Sequence, residues 1–258
     1  MHDEKAQHEA QLWVVKGLFY ARPGEVAVGM EMFQRPYQDA LDLYISGEIG
    51  EKALLRNSQY ETRWGYDFSL YRGILRFALD HQVPVLALNS ATETVRKLSS
   101  VGVEGLSPEE KAALPELDLS DPDHKAKVKA AYDAHPHGGN FDRFYAVQTL
   151  WDETMAETAA AFLRGPGKGG QIVVLAGHGH IDGGYGIPKR VARRVAGTHK
   201  IVVPLTVPRG EKIDIKSIQA EKLGDYLWFI EVEPEAPVNP HHGLPPGTPN
   251  PHTKKPGA

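Results

Sequence analysis

Two histidines, His178 and His180, stand two residues apart where the apolar run QIVVLAG (171–177) ends and a glycine-rich stretch begins, LAGHGHIDGGYGIPKR (175–190). Imidazoles at that spacing can ligate a metal or move a proton, and the flanking glycines let a ligand approach the backbone. Singly, each is an ordinary loop histidine. Two other apolar runs end in polar groups of a similar kind: VAVGMEM (26–32) carries Glu31 near its close, and VPVLALN (83–89) closes on Asn89. If the three runs are neighbouring parallel strands, these four side chains meet along the carboxyl edge, where open α/β sheets bind ligands. Glu31 alone reads equally well as a capping or salt-bridged carboxylate.

A second set lies in FDRFYAVQTLWDETMAETAAAFL (141–163), where Tyr145, Gln148, Thr149 and Asp152 recur at helical spacing between Phe141, Phe144, Trp151 and Met155. A polar face with an aromatic rim suits a pocket for a flat, partly apolar ligand. It also suits a core helix whose tyrosine hydroxyl finds a partner. In RWGYDFSLYR (63–72), Arg63 sits among Trp64, Tyr66 and Tyr71, a composition fit for a large planar anion or for plain packing. Gly183, Gly184 and Gly186 lead into Ile187-Pro188, the start of a helix whose free amides favour an anionic group. Arg190 and Arg194 can supplement it or form a solvated basic face.

Several chemistries are excluded. Gly177 and Gly179 have the spacing of a dinucleotide fingerprint, but Asp182 stands in the place of its third glycine, and no acidic residue closes the next strand. Nucleophile-elbow, phosphate-loop and HExxH patterns are absent. With no cysteine, thiolate ligands, cysteine nucleophiles and disulfides are excluded too. A net charge of −4 points to no nucleic-acid or anionic-membrane partner.

The positioning elements follow from the hydrophobic pattern. Continuous apolar runs imply strands covered on both faces, as in a parallel sheet, and helices alternate with them, so the fold class is α/β with a mostly parallel sheet flanked by helices. Pro204 in KIVVPLTV (200–207) predicts an edge strand, and LWFIEVE (227–233) a strand at the sheet's periphery. An apolar stripe of Leu12, Val15, Leu18 and Phe19 predicts a helix over 6–21, and another is expected from about 67 to 80. Ser107-Pro108-Glu109-Glu110 is a capping box, and Asp121-Pro122 repeats the start signal. Residues 90–165 hold helices and no strand, a helical insertion in a single domain over 1–233. The Pro-rich segment 234–258 has too few apolar groups to offset its ordering entropy and is expected to be a disordered tail. The first residues, MHDEKAQHEA, do not read as a signal peptide, and the chain opens on a helix, with His2, Asp3 and His8 at its charged beginning.

Taken in order, GMEMFQRPYQ (29–38), RWGYDFSLYRGILRFA (63–78), VPVLALN, FYAVQTLWDETMA (144–156) and LAGHGHIDGGYGIPKR resemble the ChaN-like haem-binding uptake family, a branch of the superfamily of the Tiki proteins and erythromycin esterases. The resemblance implies haem as cofactor, a homodimer that encloses it, and a part in bacterial haem or iron uptake at the cell envelope. With haem as the cofactor, Tyr145 is the expected axial ligand, with His180 or His178 second, because a phenolate favours ferric iron and the helix around it is aromatic. Arg63 and the helix start at Ile187–Arg190, Arg190 included, become the expected propionate contacts. In the wider superfamily some members are metal-dependent hydrolases using a GxxH histidine, here Gly177-His178-Gly179-His180. That alternative implies a divalent ion held by Glu31, His180, His2 and Asp3, with Glu31 and His180 catalytic. Family members usually begin with an apolar strand ending in Gly-Glu just before the His-Asp that stands here as His2-Asp3, and the sequence lacks that strand. A late start or truncation is therefore expected, which an in-frame apolar stretch upstream of Met1 would show. As written the chain reads as cytoplasmic; a longer one would read as periplasmic, with membrane association only through a lipid anchor ahead of Met1.

Overall fold

All nine residues of β1 (Val26–Gln34) are buried. The strand lies at the centre of a parallel sheet, between β2 (Val85–Asn89) and β3 (Gln171–Leu175), in the order β2-β1-β3. A strand paired on both edges and covered on both faces has no solvated side, which is why its sequence does not alternate. The computed structural model describes residues 4–134 and 139–233. His2, Asp3 and the Pro-rich tail from residue 234 lie outside the described residues.

The elements run in the order α1 (Lys5–Ala21), β1, α2 (Gln38–Ile45), α3 (Glu51–Asn57), α4 (Tyr60–Arg63), α5 (Ser69–His81), β2, α6 (Thr92–Val101), α7 (Pro108–Ala112), α8 (Pro122–Ala134), α9 (Phe141–Arg164), β3, α10 (His178–Ile181), α11 (Ile187–Arg194), β4 (Val202–Pro208), α12 (Ile215–Ala220) and β5 (Tyr226–Val232). Four helices, α6 to α9, separate β2 from β3, the insertion expected from the sequence. The capping box holds α7: Glu110 N donates to Ser107 Oγ at 3.2 Å and Ser107 N to Glu110 Oε2 at 2.8 Å. Asp121 starts α8 by accepting from the amides of Asp123 and His124. Among the described residues no helix is long and apolar enough to cross a membrane.

The last two strands differ from expectation. β4 and β5 pair with each other, parallel, in a separate two-stranded sheet and do not extend the first one. Tyr226 N donates to Ile201 O at 3.0 Å, so the backbones of Ile201, Val203 and Leu205 face β5, and Pro204 faces the other way. The missing N–H of Pro204 thus falls on the side of β4 that has no strand partner among the described residues, where it costs no ladder bond.

Packing around β1 divides in two. On one side Val28, Met30 and Phe33 meet Leu41, Tyr71, Ile74 and Leu75. On the other Leu88 packs with Met155, Ala156, Ala176 and Ile187, which seats α9 and α11 on the sheet. Gly29 makes that contact close: a Cβ there would lie 2.8 Å from Leu88 Cδ1. The outer edge of β2 is closed by a side chain. Gln38 Nε2 donates to Val85 O at 2.8 Å and Gln38 Oε1 accepts from Ala87 N at 2.7 Å.

Truncating Leu88, which is fully buried, should cost about 2–5 kcal/mol as Leu88→Ala. Trp13 is 65% exposed on α1, and Trp13→Ala should change stability by no more than about 0.5 kcal/mol. Paired urea denaturation curves read both.

Candidate functional site

The carboxyl ends of the strands carry a chain of buried charges. Glu31, on β1, accepts from Gly177 N at 2.7 Å, which ties the central strand to the exit of β3. Its other oxygen lies 3.4 Å from His180 Nε2. His180 Nδ1 lies 2.7 Å from Asp152 Oδ1 on α9. Burial opposes a charge on this ring, but Glu31 and Asp152 together outweigh it and push His180 up to about 10. At neutral pH it is an imidazolium with one N–H toward each carboxylate. Burial likewise opposes ionisation of Asp152, yet the charges of His180 and Arg190 and the facing His124 hold it below the usual carboxylate range.

The chain continues through α8. His124 Nε2 lies 3.0 Å from Asp152 Oδ2, in a bent contact, and its Nδ1 faces Arg190 Nη2 at 3.0 Å and the Tyr145 hydroxyl at 3.3 Å. Arginine can only donate, so His124 Nδ1 is the acceptor and the ring proton sits on Nε2, toward Asp152. Arg190 also donates to the carbonyls of Tyr185 and Gly186, and its Nε lies 3.1 Å from Glu153 Oε1. Glu153 takes Arg193 and Arg194 as well, at 3.0 and 2.6 Å. Three buried carboxylates, Glu31, Asp152 and Glu153, are thereby met by His180, Arg190, Arg193 and Arg194. Gly186 permits this closeness: a Cβ there would lie 2.2 Å from the His180 carbonyl.

The residues singled out in the sequence are distributed unevenly. Glu31 and His180 touch, Asp152 meets His180 directly, and Tyr145 joins them through His124. Tyr145 is only 2% exposed, its hydroxyl also lies 3.3 Å from Asp121 O, and burial pushes its phenol up. Arg190 is 3% exposed and engaged with Glu153, so it faces the interior. Arg63 lies at the β2 side of the same edge, donating to Gln34 Oε1 at 3.0 Å and, through both terminal nitrogens, to Glu93. That pairing, with hydrogen bonding as its main cause, holds the exposed Glu93 at about 2. Asn89 serves the backbone: its Nδ2 donates to Glu31 O at 2.9 Å.

His178 turns elsewhere. Its Nδ1 is 3.9 Å from Asp182 Oδ1, and its Nε2 is buried with no hydrogen-bond partner among the described residues. Burial lowers its pKa, and Asp182 opposes that only in part. Lys127 donates to the Asp182 carbonyl, and its ammonium lies 5.7 Å from the ring centre of Tyr185. Tyr185, 37% exposed, is the tyrosine this rim presents to solvent. Sequence reasoning missed it as a candidate, and missed His124 altogether. His124 has no local signature, being a lone histidine in the first turn of a charged helix.

The charge chain has a measurable pH signature. His180 holds its proton in the folded state up to about pH 10, whereas an unfolded histidine releases it near 6.5. Its contribution is therefore complete below about pH 6.5 and lost as pH rises toward 10. Asp152→Asn should destabilise the metal-free protein by about 3–5 kcal/mol near pH 6, the cost of breaking a buried pair. The gap between wild type and variant should narrow steadily toward pH 10, as read by denaturation across that range.

Comparison with known proteins places this geometry. The chain is 19% identical over 223 residues to the protein RETICULATA-RELATED 5, chloroplastic, of Arabidopsis thaliana; the match takes in 81% of this chain but only 30% of that relative. The solved structure of ChaN of Campylobacter jejuni, described as showing cofacial heme binding, superposes with a TM-score of 0.61 over 88% of this chain and 83% of that one, at 19% identity. At that identity the likeness shows the α/β fold. The family model for haem-binding uptake, Tiki superfamily, ChaN, matches residues 1–191, a span that includes Glu31, Asp152, His178, His180 and Tyr185. With three-quarters of its length under that model, the chain belongs to the ChaN family of the Tiki superfamily.

Proposed function

We propose that this protein binds haem at the carboxyl rim of the sheet and takes part in haem uptake. The observation that carries the reading is the family match over residues 1–191, which covers Glu31, Arg63, Tyr145, His178, His180, Tyr185 and Arg190. Haem would supply a ferric centre in need of an oxygen or nitrogen ligand, two propionates and a broad apolar face. The residues present fit that need. Tyr185 offers an exposed phenol at the rim, and His178, kept neutral by burial, offers an imidazole nitrogen without a partner among the described residues. Tyr145, His180 and Arg190 are committed to the interior charge chain and serve to hold the rim in place. Arg63, whose partner Glu93 is exposed, can exchange that carboxylate for a propionate. The homodimer expected from the family resemblance would enclose the haem between two copies of the chain.

Hemin titrated into the purified protein should give a shifted Soret band with defined stoichiometry. Tyr185→Phe or His178→Ala should weaken binding roughly tenfold or more, about 1.4 kcal/mol, whereas Tyr145→Phe should leave the band position unchanged. If Tyr145→Phe abolishes the band and the other two do not, the ligand lies in the interior and this assignment is wrong. Sedimentation with and without hemin reads the dimer, and growth of a gene-deleted host on haem iron reads the uptake role.

A second reading has one observation in its favour, the contact between Glu31 and His180. A divalent ion there would replace the proton on His180 Nε2 and activate water as in metal-dependent hydrolysis. Among the described residues no three carboxylate or imidazole groups stand as a metal site, so this reading also calls on His2 and Asp3. Elemental analysis separates the two. One zinc or manganese per chain, removed by a chelator with loss of esterase or peptidase activity, would favour the hydrolase; a metal content near zero with hemin binding favours the first.

A further inference from the structure

Three lysines stand at alternate positions on α8, and one of them is placed differently from the others. Lys125 reaches Asp142 at 3.2 Å and Lys129 reaches Asp133 at 2.6 Å, both pairs on the exposed side. Lys127 instead shares a face of the helix with His124 and Val128, which are buried. It has no ion pair among the described residues, and its ammonium donates to the Asp182 carbonyl across the rim. Burial lowers its pKa, and Asp182 and Asp152 oppose that only in part. A half-buried cation without a paired carboxylate is costly, so what it meets instead matters.

It meets Tyr185. The Lys127 ammonium lies 5.7 Å from the centre of that ring, within the range of a cation–π attraction. The ring also rests against Gly183, which has φ +68°; a Cβ there would lie 2.7 Å from Tyr185 Cε2. Gly183 N donates in turn to Leu223 O at 2.8 Å, which ties this turn to the segment ahead of β5. Glycine backbone and a lysine ammonium thus hold the Tyr185 ring, while 37% of the residue stays open to solvent. An ammonium has three N–H donors, and only the bond to Asp182 O engages one of them among the described residues.

We propose that Lys127 is the positioning residue of the rim: its ammonium fixes the Tyr185 ring and supplies the positive charge that offsets an anionic Tyr185 oxygen on ferric iron. The inference rests on the haem reading above, in which Tyr185 offers the exposed phenol. The charge acts through the ring, so Lys127 need not touch the ligand. Without it the oxygen is a costlier anion, and iron held by that oxygen loses a nearby positive charge.

Two substitutions separate charge from shape: Lys127→Met removes the charge and Lys127→Arg keeps it. In the hemin-free protein, Lys127→Met should move the aromatic NMR resonances that Tyr185→Phe deletes, and Lys127→Arg should move them less. With hemin bound, Lys127→Met should weaken binding about threefold to tenfold. It should also shift the oxygen-to-iron charge-transfer band to longer wavelength and lower the midpoint potential. Lys127→Arg should retain all three properties. In a Tyr185→Phe background, Lys127→Met should change hemin affinity by less than about twofold, because the ammonium acts through the ring. A Tyr185-dependent band that ignores Lys127→Met overturns this inference alone. So does equal loss in Lys127→Met and Lys127→Arg, which would show packing and not charge. An undiminished effect of Lys127→Met in the Tyr185→Phe background overturns it too, since the ammonium would then contact haem directly. Hemin binding untouched by Tyr185→Phe overturns the ligand reading itself, and the role of Lys127 with it. Lys127→Gln takes the place of the methionine variant if that one does not fold.

Discussion

A buried imidazolium between two buried carboxylates governs the geometry of this protein. His180 sits where β3 ends, Glu31 on the central strand and Asp152 on the long helix, so one ring joins three elements distant in sequence. An ion pair taken out of water is weak evidence for stability, since desolvation offsets most of its attraction. Its directional hydrogen bonds instead penalise every arrangement that leaves one of the three unpaired. The same logic extends through His124 and Arg190 to Glu153, where three arginines meet a single carboxylate. Beneath the rim each buried carboxylate has a charged partner, so those side chains are engaged with one another and not with solvent.

The surface chemistry follows from what the interior does not use. Tyr145 and Arg190, at helical positions that face the core, are absorbed by the charge chain. His178, at the start of α10, and Tyr185, on the turn before α11, lie just beyond it. Glycines at 183, 184 and 186 let those turns fold tightly over the His180 carbonyl, with Gly183 and Gly184 at positive φ. The rim thus combines an interior of paired buried charges with a glycine-rich lip.

Much of the fold could be read in the residues. The three strands of the main sheet, the long helix and the capping box follow from local pattern: short, largely apolar runs, a periodic stripe, and Ser-Pro-Glu-Glu at a helix start. The convergence of Glu31 with His180 was also legible, because parallel strands bring their carboxyl ends together whatever the intervening sequence. Less legible was the separation of β4 and β5. Pro204 announces an edge but cannot say which sheet that edge belongs to. That β3 ends its sheet among the described residues is invisible for the same reason, since a strand's own sequence does not record how many neighbours it has.

The sequence by itself determined the class of fold, the order of its elements, the exclusion of thiol and dinucleotide chemistry, and the list of polar residues at the strand ends. Tertiary structure decided which of those residues are spent and which are available. His124 and Glu153 carry no motif; they matter because packing against α9 removes them from water, and a charge or imidazole so placed must find partners. Tyr145 and Tyr185 look alike as letters, yet one is sealed by its neighbours and the other faces solvent. Periodicity assigns a residue to a face of its own helix or strand, but only the packing of distant elements settles what lies opposite that face, and burial follows from that.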